Sequence, residues 1–504
     1  MPRVLTSTEG NTEAFVIGEN VEVRRSPQAV ACKKRCAVEL GKPQRFQEIC
    51  SWMDRVIGTM KPNSSEIKEQ KPWWETCWSA GVPPEADGVS YQAYYSEVWK
   101  AHYTGKDLTE VRSPQRKLVP DKVTAESYQK NLGANIQVLA ERLKTKHYRA
   151  KLVRRSYIPK ENGKERPLGI PALEDRLVQL ACSKILTAIF EADFLDNSYG
   201  YRPNRSAKDA VNDLRFNFQF GKYGYVVEAD IKGFFDHMDH EWLLKMLKER
   251  IDDTAFLTLI NKWLKAGILE TDGTIIHPET GTPQGGIVSP VLANIYLHFA
   301  LDLWFEKVVK AHCKGDALVI RYADDFVCGF QYRGDARKFF EVLPKRLGKF
   351  KLAVAPEKTG MMRFSRFHPS RSRQIKSLGF ETYWSIDLKG KVRVMQRTAR
   401  KKLQGACRRI KDWIKRNRHL KGITFIKALN RRLIGHYNYY SVVGNFRSLW
   451  YFYGWAVKCS FKWLNRRGGK RNSFNWKAFN LAIQRLDLAR PKLPESTKKH
   501  RVFS

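Results

Sequence analysis

Two adjacent aspartates lie between β-prone runs in the stretch Arg321-Tyr322-Ala323-Asp324-Asp325-Phe326-Val327-Cys328. The pattern predicts a strand, a tight turn that carries both acids, and a second strand. One explanation of the acids is a solvated turn, since Asp is common in turns. The other is a metal site, because adjacent carboxylates repel each other unless a cation neutralises them, and Mg²⁺ prefers hard oxygen ligands. A third acid brought to the same place would favour the metal site.

That third acid ends the strand-like run Tyr225-Val226-Val227-Glu228-Ala229-Asp230. A helix is predicted after it from Glu241 to Leu247, with Asp239 or His240 as its cap. If this strand lies beside the hairpin, the three carboxylates can hold two metal ions roughly 3.5 to 4 Å apart. That spacing suits phosphoryl transfer, with a primer 3′-hydroxyl attacking a nucleoside triphosphate.

Composition narrows the class of partner. The chain has 504 residues and a formal net charge of +39. The length predicts about three domains, and the charge favours a polyanion, either nucleic acid or an anionic membrane surface. Membrane attachment is the weaker alternative, because no stretch approaches roughly 20 apolar residues and residues 1–20 have no targeting pattern. The nine scattered cysteines predict free thiols and a cytoplasmic location.

Further motifs occur in order along the chain. They are Tyr157-Ile158-Pro159-Lys160, Arg166-Pro167-Leu168-Gly169-Ile170-Pro171, Asn197-Ser198-Tyr199-Gly200-Tyr201-Arg202-Pro203, Asp230-Ile231-Lys232-Gly233-Phe234-Phe235-Asp236, Gly281-Thr282-Pro283-Gln284-Gly285-Gly286-Ile287-Val288-Ser289-Pro290 and Ser377-Leu378-Gly379-Phe380. With Tyr322-Ala323-Asp324-Asp325, this set resembles a reverse transcriptase of the group II intron-encoded type. The resemblance implies an α+β fold, a right-hand polymerase with fingers and palm of antiparallel sheet plus helices, and an α-helical thumb.

The resemblance also implies an activity and its partners. The activity is RNA-directed DNA polymerisation from a primer 3′-hydroxyl with deoxynucleoside triphosphates, and the cofactor is two Mg²⁺ ions, with Mn²⁺ as an alternative. The partners are an RNA template, here a group II intron RNA whose splicing and mobility the protein would assist, and a DNA primer or target. Two other functions stay open: a domesticated reverse transcriptase in DNA repair or phage defence, and a non-catalytic RNA-binding splicing factor.

By the same resemblance, particular residues receive roles at the reaction centre. The metal ligands would be Asp230, Ile231, Asp324 and Asp325. The nucleotide-binding residues would be Lys160, Arg166, Phe235, Gln284, Gly285 and Lys358. Lys160 and Arg166 lie at the ends of a predicted hairpin, where two cations can close over a triphosphate. A bulky ring at Phe235 would collide with a 2′-hydroxyl and so select deoxynucleotides; without the motif, Phe235 is an ordinary core residue.

A second set of residues would contact primer and template. It comprises Arg202, Arg205, Leu378, Gly379, Phe380, Arg400, Lys401, Arg408 and Lys415. For the segment that contains Arg205, a helix cap by Ser206 is an equally good explanation.

Helices dominate the sequence after Trp384. Three apolar stripes at helical spacing predict a small bundle. They are Leu403, Cys407, Ile410 and Ile414; Ile426, Leu429, Leu433, Tyr437 and Tyr440; and Leu449, Tyr453, Ala456, Cys459 and Trp463. The intervening Lys and Arg are too one-sided for intrahelical ion pairs and fit the phosphates of a nucleic acid.

Four segments follow from these patterns. Residues 1–105 are an extension of unclear role, 106–380 the fingers and palm, 381–485 the thumb, and 486–504 a basic tail. The extension carries a tryptophan- and tyrosine-rich cluster that favours packing over base stacking, and its cysteines have irregular spacing that disfavours zinc. No paired metal ligands follow Cys459, so we expect no endonuclease module after the thumb.

Overall fold

The computed structural model of the protein describes residues 123–159, 165–387, 389–466 and 473–492. The aromatic cluster and cysteines of the extension, the predicted ligand Lys160 and most of the basic tail lie outside this part of the chain. The described chain contains both helices and β-sheets, and the α+β prediction is confirmed. None of its helices combines the length and apolar character that a membrane crossing requires.

The strands are β1 Val153–Pro159, β2 Glu165–Ile170, β3 Tyr225–Asp230, β4 Ile268–Leu269, β5 Ile275–Ile276, β6 Ala317–Tyr322, β7 Asp325–Phe330, β8 Gly360–Arg363, β9 Gln374–Ser377, β10 Phe380–Ile386 and β11 Val392–Thr398. The helices are α1 Ala125–Lys130, α2 Leu132–Lys144, α3 Leu173–Phe190, α4 Ala207–Phe220, α5 Phe234–His237, α6 His240–Lys248, α7 Thr254–Leu264, α8 Ser289–Leu297, α9 Lys310–His312, α10 Arg333–Lys349, α11 Arg400–Asn417, α12 Gly422–Tyr440, α13 Phe446–Leu464 and α14 Trp476–Arg485. Two π-helical segments, His298–Asp302 and Phe305–Val309, continue α8.

The central sheet has the strand order β6-β7-β3-β8, and its neighbouring strands are antiparallel. Val226 and Val227 are consecutive in β3 and both fully buried, yet they pack into different cores. Val227 faces the large core that includes α8 and α10, whereas Val226 faces α4 and the β9–β11 sheet. Because both faces are covered, the strands have unbroken apolar runs rather than alternation.

A second sheet, β2-β1-β4-β5, holds the predicted hairpin. β1 pairs with β2 in antiparallel register, from Arg154 with Ile170 to Pro159 with Glu165. It pairs with β4 in parallel. The hairpin prediction is confirmed for these strands, and Arg166 lies near the turn end of β2.

Several local predictions can be compared with the observed elements. Asp239 caps α6, and its side chain accepts the Trp242 N–H at 2.9 Å. Ser206 caps α4 and exchanges bonds with Asp209 in a capping box. Both caps are as predicted. The sequence also predicts Ser289 as N-cap and Pro290 as first residue of a helix from Val291 to Phe305. This cap is wrong, because the Ser289 hydroxyl donates to the Pro283 carbonyl at 3.1 Å and Ser289 is already helical.

The predicted change to helices after Trp384 is also wrong. β10 continues to Ile386, and β11 returns beside it, so the first thumb helix begins only at Arg400. The reason is the alternating pattern of β11, in which Val394, Gln396 and Thr398 are buried against the central sheet or the bundle.

The three predicted helices α11, α12 and α13 are present, and a fourth, α14, joins them. Their shared core contains most of the predicted stripe residues, with Leu429 and Leu433 fully buried. Each such leucine contributes about 2 kcal/mol to folding. Five described cysteines are free thiols, as predicted for those positions.

Candidate active site

The two adjacent aspartates lie at a two-residue turn. β6 ends at Tyr322, β7 begins at Asp325, and these two residues are paired across the hairpin. Ala323 and Asp324 form the turn between them, and Ala323 has a left-handed backbone with φ 56°. The local sequence thus produces the predicted strand-turn-strand, at the cost of one strained alanine.

The third aspartate meets this turn through strand register. Asp230 is the last residue of β3, and it lies directly opposite Asp325 on β7. Directly opposed residues project their side chains on the same face, with Cβ atoms about 4.5 to 5.5 Å apart. The structure therefore brings Asp230, Asp324 and Asp325 to one end of the central sheet.

The carboxylates influence one another electrostatically. Burial raises the pKa of Asp325 to about 7, and the charges of Asp230 and Asp324 add to the effect. Burial and the Asp230 charge also raise the pKa of Asp324, against the opposing charges of Lys358 and Arg166. A divalent cation among these oxygens would reverse both shifts, because it favours the ionised carboxylates.

Lys358 lies directly on this carboxylate group. Its Nζ donates to Asp230 Oδ2 at 2.6 Å, and 61% of its side chain is exposed. The segment before it is tied to β3, because the Ala355 N–H donates to the Asp230 carbonyl at 2.8 Å. The ammonium group therefore balances part of the negative charge at the open end of the sheet.

The donor set is chemically suited to Mg²⁺, although in the described residues no group of three or more His, Cys, Asp or Glu side chains is already arranged around a metal position. Carboxylate oxygens are the hard ligands that Mg²⁺ prefers. Ile231, the fourth predicted ligand, follows Asp230 in the chain. On either side of it, the Lys232 N–H donates to the Ala353 carbonyl, and the Asp230 carbonyl accepts the Ala355 N–H.

The predicted nucleotide-binding loop packs against the second sheet. The Gly169 N–H of β2 donates to the Gln284 carbonyl at 2.7 Å. Gly285 has φ 120°, and a Cβ there would come within 2.7 Å of the Gly169 carbonyl. Only glycine allows this approach. Phe235 is half-buried, and its carbonyl accepts the Thr282 N–H at 2.8 Å, so its backbone and the loop are held together.

Two predicted template contacts have other partners. Arg202 is buried, and its guanidinium donates to Glu191 and to the Leu195 and Ser198 carbonyls. These bonds occupy the guanidinium inside the protein, and the template contact of Arg202 stays a prediction. Arg205 is partly exposed, pairs with Asp196 and lies over the Tyr199 ring.

The predicted primer-contacting turn joins β9 to β10. Leu378 and Gly379 both have left-handed backbones, with φ 53° and φ 77°. Phe380 is buried, and its ring stacks on Tyr439 with centroids 5.9 Å apart. The Tyr439 hydroxyl of α12 donates to the Leu378 carbonyl at 2.9 Å. The thumb helix thus supports the turn directly.

The predicted cations of the thumb are exposed on α11, namely Arg400, Lys401, Arg408 and Lys415. Three contributors to the site escaped sequence reasoning: Tyr439, Ser377 and Arg321. Ser377 donates its hydroxyl to Asp325 Oδ2 at 3.1 Å. Only Arg321 carried a usable signal, since a charged residue inside the apolar run of β6 demands a buried partner.

Comparisons with known proteins agree with this geometry. The family model described as Reverse transcriptase (RNA-dependent DNA polymerase) matches residues 158–382. Protein YkfC of Escherichia coli K12 is 41% identical over 201 residues, which are 39% of this chain and 52% of YkfC. Group II intron-encoded protein LtrA of Lactococcus lactis subsp. cremoris is 46% identical over 164 residues, which are 32% of this chain and 27% of LtrA.

The matched region therefore spans about half of YkfC and about a quarter of LtrA. Among solved structures, telomerase from Candida albicans aligns with 72% of this chain and 67% of that chain, at 12% identity and a TM-score of 0.40. That score is too low to carry an argument about the fold. Residues 158–382 are a reverse transcriptase domain, and its relatives include a group II intron-encoded protein.

Proposed function

We propose that the protein is an RNA-directed DNA polymerase that extends a primer 3′-hydroxyl with deoxynucleoside triphosphates. One observation carries the proposal: the register of β3 and β7 sets Asp230 opposite Asp325, beside the turn that holds Asp324. Carboxylates so placed would hold two Mg²⁺ ions, or Mn²⁺ in their place. When bound, the ions supply the positive charge that favours an ionised primer hydroxyl and offsets the charge on the phosphates.

The remaining groups orient the triphosphate. Arg166, whose charge lowers the pKa of Asp324, would hold phosphate oxygens through its planar guanidinium. Lys358, bonded to Asp230, would stabilise the leaving pyrophosphate. The new bond joins the primer oxygen to the α-phosphorus, and the bond to the β-phosphate oxygen breaks.

Selection of the nucleotide would depend on Phe235 and the Gln284-Gly285 backbone. Thr282 holds the Phe235 backbone, and the Phe235 ring packs edge-on against Phe234, so this ring would meet a 2′-hydroxyl. The same loop is tied to Gly169 in the hairpin strand β2. Closure of that hairpin would therefore tighten the pocket around the base pair.

The thumb would bind the nucleic acid, with group II intron RNA as the template and splicing substrate. Asp412 is the only acidic residue between Asp387 and Asp487. Exposed cations line α11, and α13 exposes Trp450 and Tyr451, at 49% and 57%. Such aromatics accept unpaired bases by stacking, and the cations accept phosphates.

Primer extension on an RNA template tests the polymerase proposal. The wild type should extend the primer in Mg²⁺, and Asp324→Asn should lose at least about 10³-fold in rate because it removes a charged metal ligand. Asp252→Asn, which changes an exposed aspartate after α6, is the matched control and should keep the rate. Extension by Asp324→Asn at the wild-type rate would refute the proposal.

A non-catalytic RNA-binding splicing factor is the second candidate, favoured by the basic thumb, which needs none of the three aspartates. RNA binding by Trp450→Ala tests the thumb surface on which this candidate depends. Loss of one stacking platform should weaken binding roughly 5- to 100-fold. Phe220→Ala, which removes an exposed aromatic on α4, is the control. A wild type that binds RNA but never extends a primer would favour this candidate.

A further inference from the structure

Arg321 is a fully buried arginine in the centre of the molecule. Its side chain and that of Asp302 are both 0% exposed. Nε donates to Asp302 Oδ1 at 2.8 Å, and Nη2 donates to Asp302 Oδ2 at 2.6 Å. This two-point geometry neutralises the charge and fixes the plane of the guanidinium. A buried ion pair is weak evidence of stability by itself, so its other bonds matter.

The remaining donors of Arg321 reach the catalytic turn and its surroundings. Nη1 donates to the Ala323 carbonyl at 3.0 Å and to Asn294 Oδ1 at 3.1 Å. Nη2 also donates to the Ser198 hydroxyl at 2.7 Å. One guanidinium therefore connects the turn to α8, to the π-helical segment that ends at Asp302, and to the motif around Ser198.

The turn that it holds is both strained and crowded. Ala323 has φ 56°, which a residue with a Cβ adopts only when the surroundings impose it. Gly200 packs against the turn, and a Cβ on it would lie 2.4 Å from the Ala323 nitrogen. Asn294 in turn holds the Gly200 carbonyl at 2.6 Å. The hydrogen bond from Arg321 to the Ala323 carbonyl therefore acts together with the Gly200 and Asn294 contacts to restrain the backbone of the turn.

The backbone of Arg321 is held by the same motif. Its N–H donates to the Asn197 carbonyl at 2.9 Å, and its carbonyl accepts the Tyr199 N–H at 2.9 Å. The segment around Ser198 therefore pairs with the outer side of β6. This pairing gives the motif a physical role: it closes the edge of the central sheet and backs the turn.

From these contacts we propose that Arg321 is a positioning residue for the carboxylate site. Its guanidinium holds the Ala323 carbonyl, keeps the turn left-handed, and so places Asp324 beside Asp230. The inference rests on the proposed polymerase function for its kinetic consequences, but not for its effect on metal binding. A purely structural role, in which Arg321 only neutralises Asp302, makes different predictions.

The test compares Arg321→Lys with Arg346→Lys. Lysine keeps the charge opposite Asp302 but cannot reach Ala323 and Asp302 together, because it lacks the fork. Arg346 is the matched control: it is partly buried and donates to the Ala300 and Phe299 carbonyls, without contacting the turn. Arg321→Lys should lose at least about 30-fold in kcat with a nucleotide KM within about threefold. Arg346→Lys should change neither.

Mn²⁺ binding without primer or nucleotide is the second readout. Electron paramagnetic resonance of free Mn²⁺ should show affinity at least about tenfold weaker in Arg321→Lys and unchanged in Arg346→Lys. This readout remains valid even if the wild type extends no primer, in which case the proposed function fails and the inference is still tested. Folded Arg321→Lys with wild-type kcat and wild-type Mn²⁺ affinity would overturn the inference.

Two further variants separate positioning from folding. Adding Ala323→Gly to Arg321→Lys should recover at least about fivefold in kcat, because glycine adopts positive φ without strain. Ser198→Ala keeps the ion pair and removes one bond to Nη2, so it serves if Arg321→Lys does not fold. It should weaken Mn²⁺ binding about threefold, and unchanged binding together with no rescue would count against the inference.

Discussion

At the scale of single residues, we propose that the ring of Phe235 sets which sugar is accepted. Its ring is half-buried, it meets Phe234 edge-on with centroids 5.5 Å apart, and its carbonyl is bonded to Thr282. Such a ring has little freedom to yield to an added hydroxyl. Rejection by a fixed wall discriminates better than a missing attraction.

Phe235→Ala should therefore relax the choice of sugar. We expect the preference for deoxynucleotides over ribonucleotides in kcat/KM to fall roughly 10- to 200-fold, since about 1 to 3 kcal/mol of discrimination is at stake. The measurement is single-nucleotide incorporation of each triphosphate on an RNA template. Phe234→Leu, in the buried neighbour, is the control and should keep the preference. If Phe235→Ala keeps the wild-type preference for deoxynucleotides, another residue must exclude the 2′-hydroxyl.

The proposed role of Lys358 can be tested by comparison with Lys351, which forms a similar ion pair elsewhere in the chain. Lys358 binds Asp230 at 2.6 Å and Lys351 binds Asp239 at 2.7 Å, with side chains 61% and 60% exposed. Neither exposed pair should contribute much to the free energy of unfolding, because solvent screens the two charges.

Lys358→Gln should nevertheless reduce kcat roughly 10- to 100-fold, because it removes positive charge where pyrophosphate leaves. Lys351→Gln should leave the rate intact, since its partner Asp239 caps α6 and is not one of the three carboxylates at the end of the central sheet. Steady-state extension kinetics on both variants provide the comparison. Equal effects of the two changes would show that Lys358 has only a surface role.

At the scale of elements, the continuation of α8 carries a buried histidine. His298 opens the π-helical segment, and burial lowers its pKa to about 4. Its ring packs edge-on against Phe194, with centroids 5.6 Å apart. The folded protein therefore holds this imidazole neutral, whereas the unfolded chain protonates it near pH 6.5.

The sign of the linkage follows from that difference. The unfolded state binds the extra proton first, so the stability contributed above pH 6.5 is lost as pH falls from 6.5 towards 4. Between pH 7 and pH 5 the free energy of unfolding should fall by about 2 kcal/mol from this group. His298→Phe should remove that part of the slope in urea unfolding, and the exposed His277→Phe should not. Identical slopes would contradict the burial argument.

At this scale, features that depend on nearby residues were predictable from the sequence, and features that depend on tertiary contacts were not. Asp239, Ser206 and the helical stripes were predictable because a cap or a stripe depends on residues only a few positions apart. Ser289 was predicted to cap α8, but its hydroxyl donates to the Pro283 carbonyl instead. The π-helical segments likewise have no local pattern, and the sequence did not show that the Arg202 guanidinium is occupied by Glu191 and by the Leu195 and Ser198 carbonyls.

At the scale of the whole molecule, charge rather than shape should dominate association. The net charge of +39 is concentrated where acids are missing, on the helices that follow Asp387. Binding through phosphates releases counterions, so affinity falls steeply with salt. The family and the carboxylate triad were predictable from ordered motifs, whereas the network around Arg321 needed coordinates because its members are up to 123 positions apart.

RNA affinity should therefore drop by at least about 10³-fold between 50 and 200 mM salt. Replacing Arg408 and Lys415 together with Gln should make the slope of log affinity against log salt shallower by about two. Lys248 and Lys265, exposed on other helices, provide the control pair and should leave the slope unchanged. A slope that does not respond to the α11 changes would exclude this helix from the contact.

The bond from Tyr439 to the Leu378 carbonyl has a mechanical consequence. Any outward swing of α12 that breaks it also removes the ring on which Phe380 rests, so the turn before β10 loses its support at the same moment. Binding of the duplex by the thumb and alignment of the primer 3′ end would then be lost together. If the protein is the polymerase proposed above, it would stall on releasing the duplex, rather than add nucleotides to a strand that has slipped.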